Sequence, residues 1–175
     1  MREVSDGFLL NMAEVSSSLV GLFLVGIFFY VETGFRRAVS ARPVLEPYLR
    51  ASTIIVLVAF AFPIMLSISL VALELAWSRA LFALLSLAIV ATNVVTVLRL
   101  RAAERVTHST VMVANEVFGT ATVVVMVTLP WALGGLEPSR EDLTWAILLA
   151  FASGFLSVCT IVLSVFDVSA AEVSD

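Results

Sequence analysis

Two glutamates, Glu14 in Asn11-Met12-Ala13-Glu14 and Glu116 in Val113-Ala114-Asn115-Glu116, lie well inside long apolar stretches. Hydrocarbon holds no water to solvate a carboxylate, so an ionisable group at that depth needs a partner, a proton or a task. Insertion of an ionised side chain at a helix centre costs roughly 2.5–3.5 kcal/mol. Protonating a glutamate of ordinary pKa near 4.3 at pH 7 costs about 3.7 kcal/mol. The two costs are comparable, so small changes in surroundings decide whether such a group holds a proton. That is the chemistry of a site that binds and releases a proton or a monovalent cation.

No arginine lies at intramembrane depth to neutralise either glutamate. The partners by type are the amides of Asn11, Asn93 and Asn115 and hydroxyls such as that of Ser18. A cage of amides and hydroxyls without a fixed positive charge suits a bound cation or proton better than a structural ion pair. The competing reading is two neutral, hydrogen-bonded acids with a purely structural role.

The elements that must position these residues follow from composition. Of 175 residues, 61% are hydrophobic and 14% charged, against roughly 25% charged in an ordinary soluble domain. A helix needs about 20 apolar residues to cross a hydrocarbon core roughly 30 Å thick. Five segments qualify, at approximately 8–31, 51–73, 80–98, 109–133 and 143–166. A soluble globule is excluded because too few polar residues remain to cover it. A transmembrane barrel needs alternating polar and apolar residues, whereas Thr53–Val58 and Val123–Val127 are nearly continuously apolar. The expected fold is all-α: one polytopic membrane domain over residues 1–175, with five helices and no soluble domain.

Arginine sets the expected orientation. Arg36, Arg37, Arg42 and Arg50 occupy the first connection and Arg99, Arg101 and Arg105 the third, while the second has only Arg79 and the fourth only Arg140. Short cytoplasmic loops carry the excess of basic residues, which puts the N-terminus outside and the C-terminus in the cytoplasm. Trp77, Trp131 and Trp145 then fall at the outer interface. Glu14 lies about 9 Å below the outer end of its helix and Glu116 roughly 10 Å above the inner end of its own, at 1.5 Å per residue. The N-terminal stretch is too long and too acidic for a cleaved signal peptide. The first connection, Gly34-Phe35-Arg36-Arg37-Ala38-Val39 followed by Pro43 and Pro47, suits a segment resting on the anionic leaflet, its prolines blocking a continuous helix.

Lipid is as apolar as leucine, so polar and small side chains are expected to mark the faces that helices turn to one another. Asn11, Glu14, Ser18 and Gly21 share a face of the first helix. Ser86, Asn93 and Thr96 punctuate the third, and Met112, Glu116, Gly119 or Thr120, and Val123 share a face of the fourth. Ser153, Ser157, Thr160 and Ser164 do so in the fifth. In the second, Pro63 interrupts the hydrogen-bond ladder with Ser67 one turn further on. Ala13-Glu14-Val15-Ser16-Ser17-Ser18 faintly echoes Asn115-Glu116-Val117-Phe118-Gly119-Thr120, with small or hydroxyl residues after each Glu-Val; matches this short between apolar helices arise easily by chance.

Other chemistries lack their residues. His108 is the only histidine and Cys159 the only cysteine, so paired-ligand haem, metal or disulfide sites are not expected within one chain. The aspartates Asp6, Asp142, Asp167 and Asp175 lie at ends or loops, not at the depth an intramembrane protease requires. No nucleophile and base pair up, and nothing suggests a cofactor or a nucleic acid. The expectation is a multi-pass plasma-membrane protein that is not an enzyme. It is read as a small channel or carrier for protons or a monovalent cation, binding at Glu14, Glu116, Asn11, Asn93, Asn115 and Ser18. Five helices make a thin bundle, which points to a homo-oligomer with the polar face of the first helix towards a shared axis. The alternative is an accessory or assembly subunit whose buried carboxylates bind a partner helix.

Overall fold

The structure is a computed structural model that describes the backbone of residues 4–32, 45–107 and 110–173, and the side chains of 4–29, 50–51, 53–99, 101 and 116–159. Five helices follow in order: α1 (Asp6–Glu32), α2 (Leu45–Ala72), α3 (Leu75–Thr107), α4 (Thr110–Gly134) and α5 (Arg140–Val173). All five are long and apolar enough to cross a membrane, and no strand occurs among the described residues. Large apolar side chains such as Leu22, Phe28, Leu84, Leu87 and Val117 point outward. Soluble proteins rarely carry so much exposed apolar surface; lipid accommodates it. The chain is a multi-pass membrane protein by this architecture.

The helices outrun the apolar segments that define them. Leu98-Arg99-Leu100-Arg101-Ala102-Ala103-Glu104 consists of strong helix formers, so α3 continues past its apolar stretch to Thr107. Pro47 falls in the first turn of α2, where its missing N–H has no intrahelical acceptor to lose. Pro63 lies inside α2 and is buried, yet the helix runs through it; neighbouring helices make such a break tolerable in a membrane. The connection 33–44, with Arg36, Arg37, Arg42 and Pro43, and His108 lie outside the described residues.

Capping and polar contacts organise the end of the bundle that carries Asp6. Ser5 caps α1, its hydroxyl accepting from the Phe8 N–H at 3.2 Å. The Ser78 hydroxyl donates to the Ser69 carbonyl at 3.0 Å, pinning the start of α3 to the end of α2. Gly135, at φ 63°, takes the left-handed conformation that commonly terminates a helix after its last turn. Ser139 and Asp142 then form a reciprocal cap on α5. The Ser139 N–H reaches the Asp142 carboxylate at 2.8 Å, and the Asp142 N–H reaches the Ser139 hydroxyl at 3.2 Å. Arg79 closes the corner by donating to the carbonyls of Pro138 (2.9 Å) and Glu137 (3.2 Å) and pairing with the Glu137 carboxylate at 3.5 Å. Arg140 pairs with Asp6, so the first turns of α1 and α5 are tied together.

α2 is the centre of the bundle, packing against α1, α3 and α5. Half of its most apolar stretch is buried (50%), against 11% for α1. Phe62 on α2 meets Phe82 on α3 edge-on, with ring centroids 5.9 Å apart, and Phe82 in turn packs on Trp131 of α4. Trp131 therefore reaches into the packing between helices, while Trp77 and Trp145 are exposed near the same end. On the other side of α2, Phe60 meets Phe151 of α5 edge-on at 6.2 Å. Gly154 makes that contact possible, because a Cβ there would stand 3.1–3.3 Å from three atoms of the Phe60 ring.

Packing, not exclusion from water, holds such helices together. Gly154→Leu is therefore expected to destabilise the fold by about 1–3 kcal/mol. Gly26→Leu, at a position with nothing within 4 Å, should leave it unchanged within about 0.5 kcal/mol. Unfolding in mixed micelles, followed by circular dichroism, checks both.

Candidate functional site

The residues singled out by sequence divide between two places. The first is the interface of α3 and α4. Asn93 is buried, and the Thr120 hydroxyl donates to its amide oxygen at 3.2 Å. In the same amide orientation, the Asn93 Nδ2 also reaches the Thr120 oxygen, at 3.4 Å. The pair remains bonded in either orientation of the amide, a choice that heavy-atom positions do not decide. Glu116 stands one turn before Thr120, so the two share a face of α4, and Glu116 is half-buried. One turn beyond Asn93, the Thr96 hydroxyl is buried and donates to the Thr92 carbonyl at 2.9 Å. The side chain of Asn115 lies outside the described residues.

The second place is α1, where the structure departs from expectation. Leu9, Ala13 and Ser16 are buried against the bundle with Met12 half-buried beside them. At 3.6 residues per turn, Asn11, Glu14 and Ser18 fall on the opposite side, and all three are exposed. The inward face of α1 is thus its apolar face and the outward face its polar one. The Ser17 and Ser18 hydroxyls donate back to the carbonyls of Ala13 (2.8 Å) and Glu14 (3.0 Å). Among the described residues, neither the Asn11 amide nor the Glu14 carboxyl has a hydrogen-bond or ion-pair partner. Polar and small residues mark helix-contact faces in general, and their spacing does not say whether the neighbouring helix belongs to the same chain.

Glu14 and Glu116 are consequently not brought together. α1 packs on α2, whereas α4 packs on α5 and more sparsely on α3. Counted from the Asp6 end, Glu14 lies eight residues down α1 and Glu116 eighteen residues down α4. At 1.5 Å per residue they differ in depth by about 15 Å. No single cage holds both.

The α3 stripe behaves as expected: Ser86, Asn93 and Thr96 are all buried. The hydroxyls of Ser16, Ser67 and Ser86 are buried and make no hydrogen bond among the described residues. In α5, Ser153 and Ser157 are half-buried, while the side chains of Thr160, Ser164 and Asp167 lie outside the described residues. The tether between Asp6 and Arg140 was not anticipated, although Ser139 followed three residues later by Asp142 announces the start of α5. Compared with protein-family models, curated proteins and solved structures, the chain matches none of them, so geometry alone carries the functional argument.

Replacing Asn93 by Leu and Thr120 by Val, singly and together, isolates their bond. Interhelical hydrogen bonds in membranes average about 0.6 kcal/mol and reach roughly 1.7. The double-mutant cycle is expected to return a coupling in that range, read from unfolding in mixed micelles.

Proposed function

We propose that this chain is an assembly subunit: a multi-pass membrane protein that joins a membrane complex through the outward face of α1. One observation carries the reading. Asn11 and Glu14 lie within a helix apolar enough to span the bilayer, yet face away from their own bundle without a partner among the described residues. A carboxyl group left against lipid is costly. A neighbouring helix that offers donors and acceptors at the same depth removes that cost. Asp6, bound to Arg140 at the head of α5, holds the start of α1 in the rotation that presents this face.

The second reading, proton or monovalent-cation transport, is supported by the other cluster. Glu116 on α4 is half-buried one turn from the bonded pair Asn93–Thr120. A carboxyl, an amide and a hydroxyl at one helix interface supply oxygen ligands or a proton relay. Glu14 contributes to this reading only if assembly brings it beside a second polar site.

The arginine asymmetry supports an orientation with the Asp6 end outside and the C-terminus in the cytoplasm of a plasma membrane. Arg79 and Arg140, the basic residues near the Asp6 end among those described, are each paired with a carboxylate. Arg50, Arg99 and Arg101 lie towards the opposite end.

Two measurements separate the readings. Extracted from its host membrane in mild detergent, the wild-type chain is expected to migrate as a complex larger than one chain. The variant with Asn11→Leu and Glu14→Leu should migrate as a smaller species. Purified protein in liposomes should pass protons and alkali cations no faster than empty liposomes. A wild-type flux abolished by Glu116→Gln would instead establish transport, and a complex indifferent to α1 would remove the assembly reading.

A further inference from the structure

The outward face of α1 has a period that its position in the bundle does not require. From Gly7 the residues Asn11, Glu14, Ser18, Gly21 and Val25 follow at steps of four, three, four, three and four, and every one of them is exposed. Such spacing is a 3.5-residue repeat, the seam of a left-handed pair of parallel helices. Gly7 and Gly21 have nothing within 4 Å of where a Cβ would stand, so this chain makes no use of their small size. Small residues at a seam matter when another backbone must come close.

We propose that the occupant of this face is α1 of a second copy of the chain, packed in parallel about a two-fold axis along the membrane normal. The inference rests on the assembly reading and names its partner. Copies inserted in the same sense present this seam to one another in parallel, with each residue at the depth of its counterpart. Asn11 and Glu14 lie on opposite sides of the seam's midline and are offset by three residues, about 4.5 Å along the axis. A two-fold rotation sets the Asn11 side of one helix against the Glu14 side of the other. The Asn11 amide of each copy then donates to the Glu14 carboxyl of its counterpart, and the contact forms twice. The face is thus self-complementary, with donor and acceptor both supplied by one sequence. No basic residue on a foreign chain is needed. One polar layer within an otherwise small and apolar seam is also the device that fixes register and strand number in paired helices. Ser18 and Gly21 let the backbones approach beside it.

The test uses full-length protein carrying Cys159→Ser, with single cysteines placed on α1. Ser18→Cys and Val25→Cys lie on the seam. Val15→Cys and Leu24→Cys are exposed on its two flanks. In liposomes of phosphatidylethanolamine and phosphatidylglycerol, mild oxidation is expected to link the seam cysteines into dimers several-fold more than the flanking ones. That preference should persist on dilution with lipid. Counting photobleaching steps on labelled wild-type protein should give two chains per particle.

Gly21→Ile blocks close approach without disturbing the chain's own packing, because no atom of the bundle lies within 4 Å of that position. It should give one chain per particle with unchanged helicity and melting. Equal cross-linking on seam and flank, or one wild-type chain per particle, overturns the second copy as occupant. Whether the assembly reading falls with it is decided separately in host membranes. A larger complex there that Glu14→Leu disperses leaves assembly standing with a different partner. A single chain there as well removes both.

Discussion

A polar side chain at hydrocarbon depth must find its hydrogen bonds in protein, because lipid offers none. Apart from the buried hydroxyls of Ser16, Ser67 and Ser86, which make no hydrogen bond among the described residues, three responses to that constraint recur. Hydroxyls such as those of Ser17, Ser18, Thr96 and Thr122 turn back on the carbonyls of their own helices. Asn93 and Thr120 satisfy one another between α3 and α4. Asn11 and Glu14 do neither among the described residues, and they are the groups that the rest of the bundle turns outward. The aromatic packing around α2, with Phe60, Phe62 and Phe82 at its centre, fills much of the interior, and the Asn11 and Glu14 side chains lie on the far side of α1 from it.

Much of the architecture was legible in the residues themselves. A run such as Thr53–Ala72 can only be a helix if it is to hide its backbone from lipid, so the number and class of elements followed from length and composition. The faces were harder. In a soluble helix the apolar stripe points to the core, but here both core and surroundings are apolar, and only the scarce polar or small residues report a side. The stripe through Ser86, Asn93 and Thr96 points into the bundle, and the equally regular stripe through Asn11, Glu14 and Ser18 points out of it. Nothing in their spacing distinguishes them. What decides is which neighbour each helix has, a property of the tertiary arrangement. Likewise Gly154 is indistinguishable from Gly26 in sequence, yet only Gly154 has an aromatic ring within 3.3 Å of where a side chain would grow.

The candidate site divides for the same reason. Treated as a set, Glu14, Glu116 and the asparagines suggest one polar cage; the helix order separates them into an outward-facing pair and an internal pair at different depths. The internal pair bonds α3 to α4 beside the packing of Phe82 on Trp131, with Glu116 one turn from Thr120. The outward pair has no structural work to do within a single chain. Its location on the least buried helix, steadied at one end by Asp6 and Arg140, is why the proposed assembly reading takes α1 as the edge that meets other protein.

That claim is tested most directly by measuring what surrounds α1 in a bilayer. Spin labels at Ser18 and Leu24, positions exposed in the isolated chain, report their contact with oxygen dissolved in the hydrocarbon. If protein covers the polar face, the label at Ser18 will be markedly less accessible to oxygen than the one at Leu24. Equal, lipid-like accessibility at both positions would mean that Glu14 faces lipid unaided, and would contradict the account at its centre.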